Sequence, residues 1–120
     1  LSRRGSEGAL IVVEGARDEE ALRRLGVEGR FYRLKANGRR LADALCELSA
    51  WPWDLIILTD FDRRGRELAF KAAEYLERHS GRAPDLSFWR KLSSLIQNGV
   101  KDIEGLAAFL ERRQPKARPK

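Results

Sequence analysis

No stretch of this chain approaches the roughly 18 consecutive apolar residues of a membrane span, so no membrane partner is expected. Its opening "LSRRGSEGAL" carries no apolar signal core, and a cytoplasmic location is the expectation that follows. Cysteine is almost missing. Cys46 alone cannot close an internal disulfide, and its helix-like surroundings mark it as a small buried side chain. Histidine is equally scarce: His79 stands where a helix should end in solvent, away from the acids discussed below. Acid is the minority charge, 18 residues against 24 lysines and arginines, giving +6 and a pI near 10.0. A basic balance favours polyanionic partners, RNA or DNA foremost. Arginine outnumbers lysine, which fits either a compositional bias or a phosphate-binding surface.

What is present suits one globular domain. The 120 residues, 42% hydrophobic and 35% charged, suffice for a single core. A polar leader over 1–8, a domain over 9–112 and a basic tail over 113–120 are expected. The tail, "RRQPKARPK" with its flank, has prolines, no acid and almost nothing apolar, so it reads as disordered and able to add salt-dependent attraction to phosphate.

Two runs, "ALIVVEG" (9–15) and "DLIILTD" (54–60), are apolar without alternation, as strands covered on both faces are. "GRFYRL" (29–34) supplies a strand with aromatic propensity, and "GRAPDLSFW" (81–89), alternating at Leu86 and Phe88, a weaker fourth. Between them lie helical patterns: "ARDEEALRRLG" with acids first and arginines last, a stripe of Leu41, Leu45 and Leu48, and a stretch from about Gly65 to His79 with Leu68, Ala69, Ala72, Tyr75 and Leu76 inward. "RKLSSLIQNG" and "VKDIEGLAAFLERR" read as two further helices. Strands alternating with helices predict an α/β, Rossmann-like fold: a mostly parallel four-stranded sheet with helices on both faces.

Ligands of open parallel sheets bind beyond the carboxyl ends of the strands. There Glu14 closes the first run, and Asp60 and Asp62 close the third. Strand residues i and i+2 project to one side about 6.6 Å apart, so the two aspartates can lean toward one ion. Grouped carboxylates repel unless a cation neutralises them. An oxygen-only set points to Mg²⁺, with Mn²⁺ as a substitute, rather than zinc. Helix caps and salt bridges to nearby arginines are the plainer use of the same acids. Arg63 and Arg64, at the mouth of the next helix, suit phosphate, as do Arg17 and Lys35 in the adjoining loops. Trp51, Trp53 and Trp89 read as core or rim anchors, with base stacking as the other use.

"VVEGARDEEAL" (12–22) followed by "TDFDRRG" (59–65) resembles the two signature motifs of the Toprim domain, shared by topoisomerases, bacterial-type primases and several nucleases. The resemblance covers roughly residues 9–90. It implies a metal-assisting or acid–base role for Glu14, Mg²⁺ ligation by Asp60 and Asp62, and tight turns beside the site at Gly15 and Gly65. "KANGRRL" (35–41) resembles the polar loop after the second strand, with Asn37 and Gly38 at the corresponding positions. Among Toprim proteins the likeness is to small stand-alone forms related to the nucleases that mature 5S ribosomal RNA. Tyr32 and Tyr75 read as structural, which sets topoisomerase chemistry aside.

Two functions stay open. One is a Mg²⁺-dependent endonuclease, a hydrolase in RNA processing or on structured DNA, with Glu14, Asp60 and Asp62 catalytic. The other is a non-cutting Toprim binding module, or a subunit that meets a protein partner in a nucleic-acid-processing complex.

Overall fold

A computed structural model of the protein describes residues 8–94 and 102–113. Most of the expected leader, the expected tail from residue 114, and the part of the expected helix beyond residue 94 lie outside the described residues.

The order is β1 (Leu10–Val13), α1 (Ala16–Arg24), β2 (Arg30–Arg33), a 3₁₀ turn (Ala36–Gly38), α2 (Leu41–Ser49), β3 (Leu55–Ile57), α3 (Arg63–Ser80), α4 (Ser87–Ser93) and α5 (Ile103–Arg113). The strands form one parallel sheet in the order β2-β1-β3. Leu10 stands opposite Arg30 on one side and Leu55 on the other. The first crossover moves to one edge and the second passes back across β1, so right-handed connections put α1 and α2 on opposite faces. In keeping with this, α1 packs on α5 and α2 on α3.

The central strand explains its own sequence. Leu10, Ile11, Val12 and Val13 are all buried, because helices cover both faces and neither parity of side chain reaches water. Each such aliphatic residue contributes about 1.5–3 kcal/mol by leaving water. β2 at the edge is different: Arg30 and Arg33 are exposed, and Phe31 and Tyr32 are half-buried. The charges at this edge oppose pairing with a further strand.

The four-stranded sheet expected from the sequence is corrected to three strands flanked by helices. Asp85 makes one isolated bridge to Ile56, through bonds from Asp85 N to the Leu55 carbonyl (2.7 Å) and from Ile57 N to the Asp85 carbonyl (3.1 Å). Its carboxylate then accepts from Ser87 N (2.8 Å) and Ser87 Oγ (2.6 Å), turning the chain into α4. Leu86, Trp89 and Leu92 therefore follow helical spacing. Trp89 is buried in the core.

Helix α3 starts two residues earlier than its apolar stripe suggested, at Arg63, and ends at Gly81 in the left-handed region (φ 77°). Gly65, Ala69, Ala72 and Leu76 are its buried residues, while Leu68 and Tyr75 are only half-buried. Cys46, expected inside, is exposed on α2. Among the described residues no helix is long and apolar enough to cross a membrane.

Candidate functional site

β1 and β3 end side by side, which brings Glu14 against the backbone of Asp60. Leu58 N bonds to the Val12 carbonyl (2.8 Å) and Lys35 N to the Glu14 carbonyl (3.0 Å), extending the ladder past the strands on both sides. Glu14 is 4% exposed. Its Oε2 accepts from Asp60 N (2.8 Å), and its Oε1 from Arg64 Nη2 (2.8 Å), with Lys35 Nζ at 3.3 Å. Burial alone would raise the Glu14 carboxyl. The Asp60 amide, the Arg64 guanidinium and the Lys35 ammonium outweigh it and hold the group below its ordinary value.

Asp60 is in the opposite condition. Its Oδ1 accepts from Ile103 N, the first amide of α5 (3.2 Å), and its Oδ2 lies 3.8 Å from Arg64. Burial, together with the nearby Glu14, Asp18 and Asp102 charges, pushes its carboxyl up to about 7 despite the Ile103 bond. Asp18 is raised as well, by burial first and then by Glu14, Glu104 and Asp102, although its Oδ2 accepts from Gly15 N (3.1 Å). Asp62 does not lean toward Asp60. It caps α3, Oδ1 accepting from Gly65 N at 2.7 Å, and is exposed.

Gly65 is required where it stands. A Cβ there would overlap the Asp60 carbonyl, so only glycine lets the first turn of α3 press against the end of β3. Thr59 Oγ1 donates to the Gly65 carbonyl (2.7 Å) across the same contact. Gly15 lies at the bend between β1 and α1; its backbone is extended (φ −155°) and open space faces it, so neither conformation nor packing demands glycine there. Gly38, at φ 67°, closes the 3₁₀ turn that also contains Asn37.

The four expected basic residues part ways. Arg17, Lys35 and Arg64 line an open cleft of about 310 Å³ with the acids Glu14, Asp18, Asp60 and Glu104. Lys35 and Arg64 keep more than half of their side-chain surface in solvent although both hold Glu14. Arg17 forms no ion pair among the described residues. Arg63 turns outward to Glu67 (3.3 Å) and does not line the cleft.

Residues beyond the motifs hold this arrangement. The Trp89 indole N–H donates to the Thr59 carbonyl (3.1 Å) and lies 3.4 Å from that of Asp60, fixing the turn after β3. Phe61 and Phe70 flank the indole, centroids 6.0 and 5.8 Å away. Asp18 and Asp102 come from α1 and from the start of α5, and no local spacing joins them to Asp60. Trp53 is largely exposed and Trp51 half-buried, both outside the cleft.

These geometries correct the metal-dependent nuclease reading. Among the described residues no group of three His, Cys, Asp or Glu side chains is disposed to hold a metal ion. Both Glu14 oxygens already accept from side-chain cations or an amide, one Asp60 oxygen and one Asp62 oxygen accept from helix amides, and Asp62 does not line the cleft that holds the other two. As arranged, the donor set does not fit Mg²⁺, and the magnesium, nuclease, hydrolase and RNA-processing assignments drawn from it fall with it.

The Toprim domain model matches residues 9–86. A UPF0292 protein of Methanosarcina acetivorans is 37% identical, the alignment covering 97% of this chain and 78% of that protein. A UPF0292 protein of Pyrococcus horikoshii is 44% identical over 88% of this chain and 76% of its own length. A solved structure of a putative protein from Aquifex aeolicus superposes with a TM-score of 0.63 at 28% identity, covering 84% of this chain and 87% of that one. The chain belongs to the Toprim domain family and, within it, to the UPF0292 proteins. The nearer kinship with 5S ribosomal RNA maturation nucleases, implied by the motifs, is thereby corrected: the relatives are UPF0292 proteins, and those names state no activity.

Proposed function

We propose that this domain binds nucleic-acid phosphate at the carboxyl edge of its sheet without cutting it, as a stand-alone binding module or as the binding subunit of a nucleic-acid-processing complex in the cytoplasm. One observation carries the proposal: a buried anion, Glu14, anchors two cations whose outer faces remain in water at an open cleft. A guanidinium has five N–H donors, and among the described residues Arg64 donates to Glu14, with Asp60 Oδ2 farther off at 3.8 Å. Phosphate oxygens can take others without disturbing the pair. Arg17 on the same rim is uncommitted among the described residues, and the chain's overall +6 adds long-range attraction. Binding of this kind is strongly salt-dependent and nearly indifferent to sequence, since phosphate contacts carry no base information.

The test is fluorescence anisotropy with a labelled RNA hairpin and a DNA duplex at ~50 mM salt, wild type beside Arg17→Glu and Lys35→Glu. Saturable binding that each charge reversal weakens about tenfold or more, with a reduced salt slope, is the expected result. Absence of binding at that salt overturns the proposal. Mg²⁺ and Mn²⁺, the cofactors implied by the motifs, are a separate arm of the same assay.

A further inference from the structure

A second hollow adjoins the cleft. Between the segment that follows β2 and the exposed side of α3 runs a groove of about 410 Å³, within the ~300–1,000 Å³ range of small-ligand pockets. Its floor is aliphatic: Leu34, Leu41 and Leu68. Its rim is cationic, with Lys35, Arg39, Arg64 and Lys71 against one carboxylate, Glu67, which Arg63 already engages at 3.3 Å. Lys35 and Arg64 belong to both hollows, so a phosphate held between them would stand at the mouth of the groove. Arg39 is fixed there by Glu47 (2.9 Å) and by Tyr32, over whose ring its guanidinium sits at 4.8 Å. Lys71, farther along α3, is exposed and makes no ion pair among the described residues.

A hollow with an apolar floor and a positive rim complements a ligand that is itself divided, an apolar flat body between anionic groups. We propose that the groove receives one unpaired nucleotide of a bound strand, its 5′ phosphate between Lys35 and Arg64, its base on Leu41 and Leu68, and its 3′ phosphate toward Lys71. This inference rests on the nucleic-acid reading above and narrows it to a substrate class: strands with an unpaired end or loop beside a helix. A base inside a duplex presents only its edges and cannot lie on the floor. Because the floor is aliphatic and no polar side chain rises from it, base identity matters little.

Three hairpins with one common stem separate the outcomes: a blunt hairpin, the same hairpin with a four-nucleotide single-stranded overhang, and the hairpin with an abasic overhang that keeps the phosphates. The full chain should bind the natural overhang at least tenfold more tightly than the blunt form. The abasic overhang should recover less than a third of that gain, and Lys71→Glu and Leu68→Ser should each remove most of it. Equal affinity for blunt and overhanging hairpins overturns the groove while leaving the cleft reading intact. So does an abasic overhang as effective as the natural one, or a Lys71→Glu loss of the same factor on the blunt hairpin and the overhang. Failure of all three hairpins to bind overturns both readings at once.

Discussion

Glu14 and Asp60 follow the two fully buried strands of one sheet and approach the same guanidinium, yet they sit in opposite electrical surroundings. Glu14, the more deeply buried, accepts from an amide, an arginine and a lysine, and its carboxyl is held low. Asp60 receives one amide bond and a more distant guanidinium, faces three other acids, and is pushed up to about 7. Burial opposes ionisation of both carboxyls; the donors around Glu14 outweigh it, and the single amide bond at Asp60 does not. The strand end at β1 is thus a finished ion-pair cluster, whereas the strand end at β3 has too few donors to hold its carboxylate fully ionised near neutral pH.

The contact that joins the two ends is the first thing to break. Gly65→Ala would drive a Cβ into the Asp60 carbonyl and push α3 off β3, so a loss of about 3 kcal/mol in urea unfolding is expected. A variant as stable as wild type would mean that the helix start yields freely.

Glu14→Gln keeps the shape and removes the charge. It should cost about 2 kcal/mol near pH 7, since two cations and an amide lose a charged acceptor. Glu14 has a depressed carboxyl in the fold, so its contribution exists above the unfolded value near 4.5 and disappears as pH falls through the folded one. The gap between variant and wild type should therefore close on acidification, and a gap independent of pH would contradict the ion-pair account.

Asp60→Asn sharpens the comparison because its sign is reversed. The folded carboxyl lies above its unfolded value, so the folded state holds its proton more tightly and wild type loses stability as pH rises from about 4 through about 7. The variant should be more stable than wild type by more than about 1 kcal/mol at pH 8 and nearly indistinguishable at pH 4, measured by paired thermal melts. The smallest effect is assigned to Asp62→Ala, loss of a helix cap worth about 1 kcal/mol or less.

Much of this was legible in the chain for reasons that differ from place to place. β1 and β3 announce themselves because strands covered on both faces carry runs without polar interruption, and strands that run parallel must end at one edge, which is why Glu14 and Asp60 meet. Asp62 takes the plainer of its two expected uses because α3 begins at Arg63. Once that first turn forms, the nearer use of an aspartate is to cap it. The fourth strand failed on one residue: Asp85 pairs once and its carboxylate then takes the Ser87 amide and hydroxyl, turning the chain into α4, and a Leu86-Phe88 alternation is too short to distinguish a strand from the first turn of a helix. Asp18, Asp102 and Trp89 reach Asp60 from separate elements, a convergence that no spacing in the sequence encodes.

The central claim is that the cations at this edge are side chains, so that phosphate binding needs no metal. It is tested most directly by measuring the affinity of the wild-type protein for the labelled RNA hairpin in EDTA and again with Mg²⁺ or Mn²⁺ at matched ionic strength. The account predicts saturable binding in EDTA, changed no more than about threefold by either ion. Binding that appears only when the divalent ion is added would contradict it.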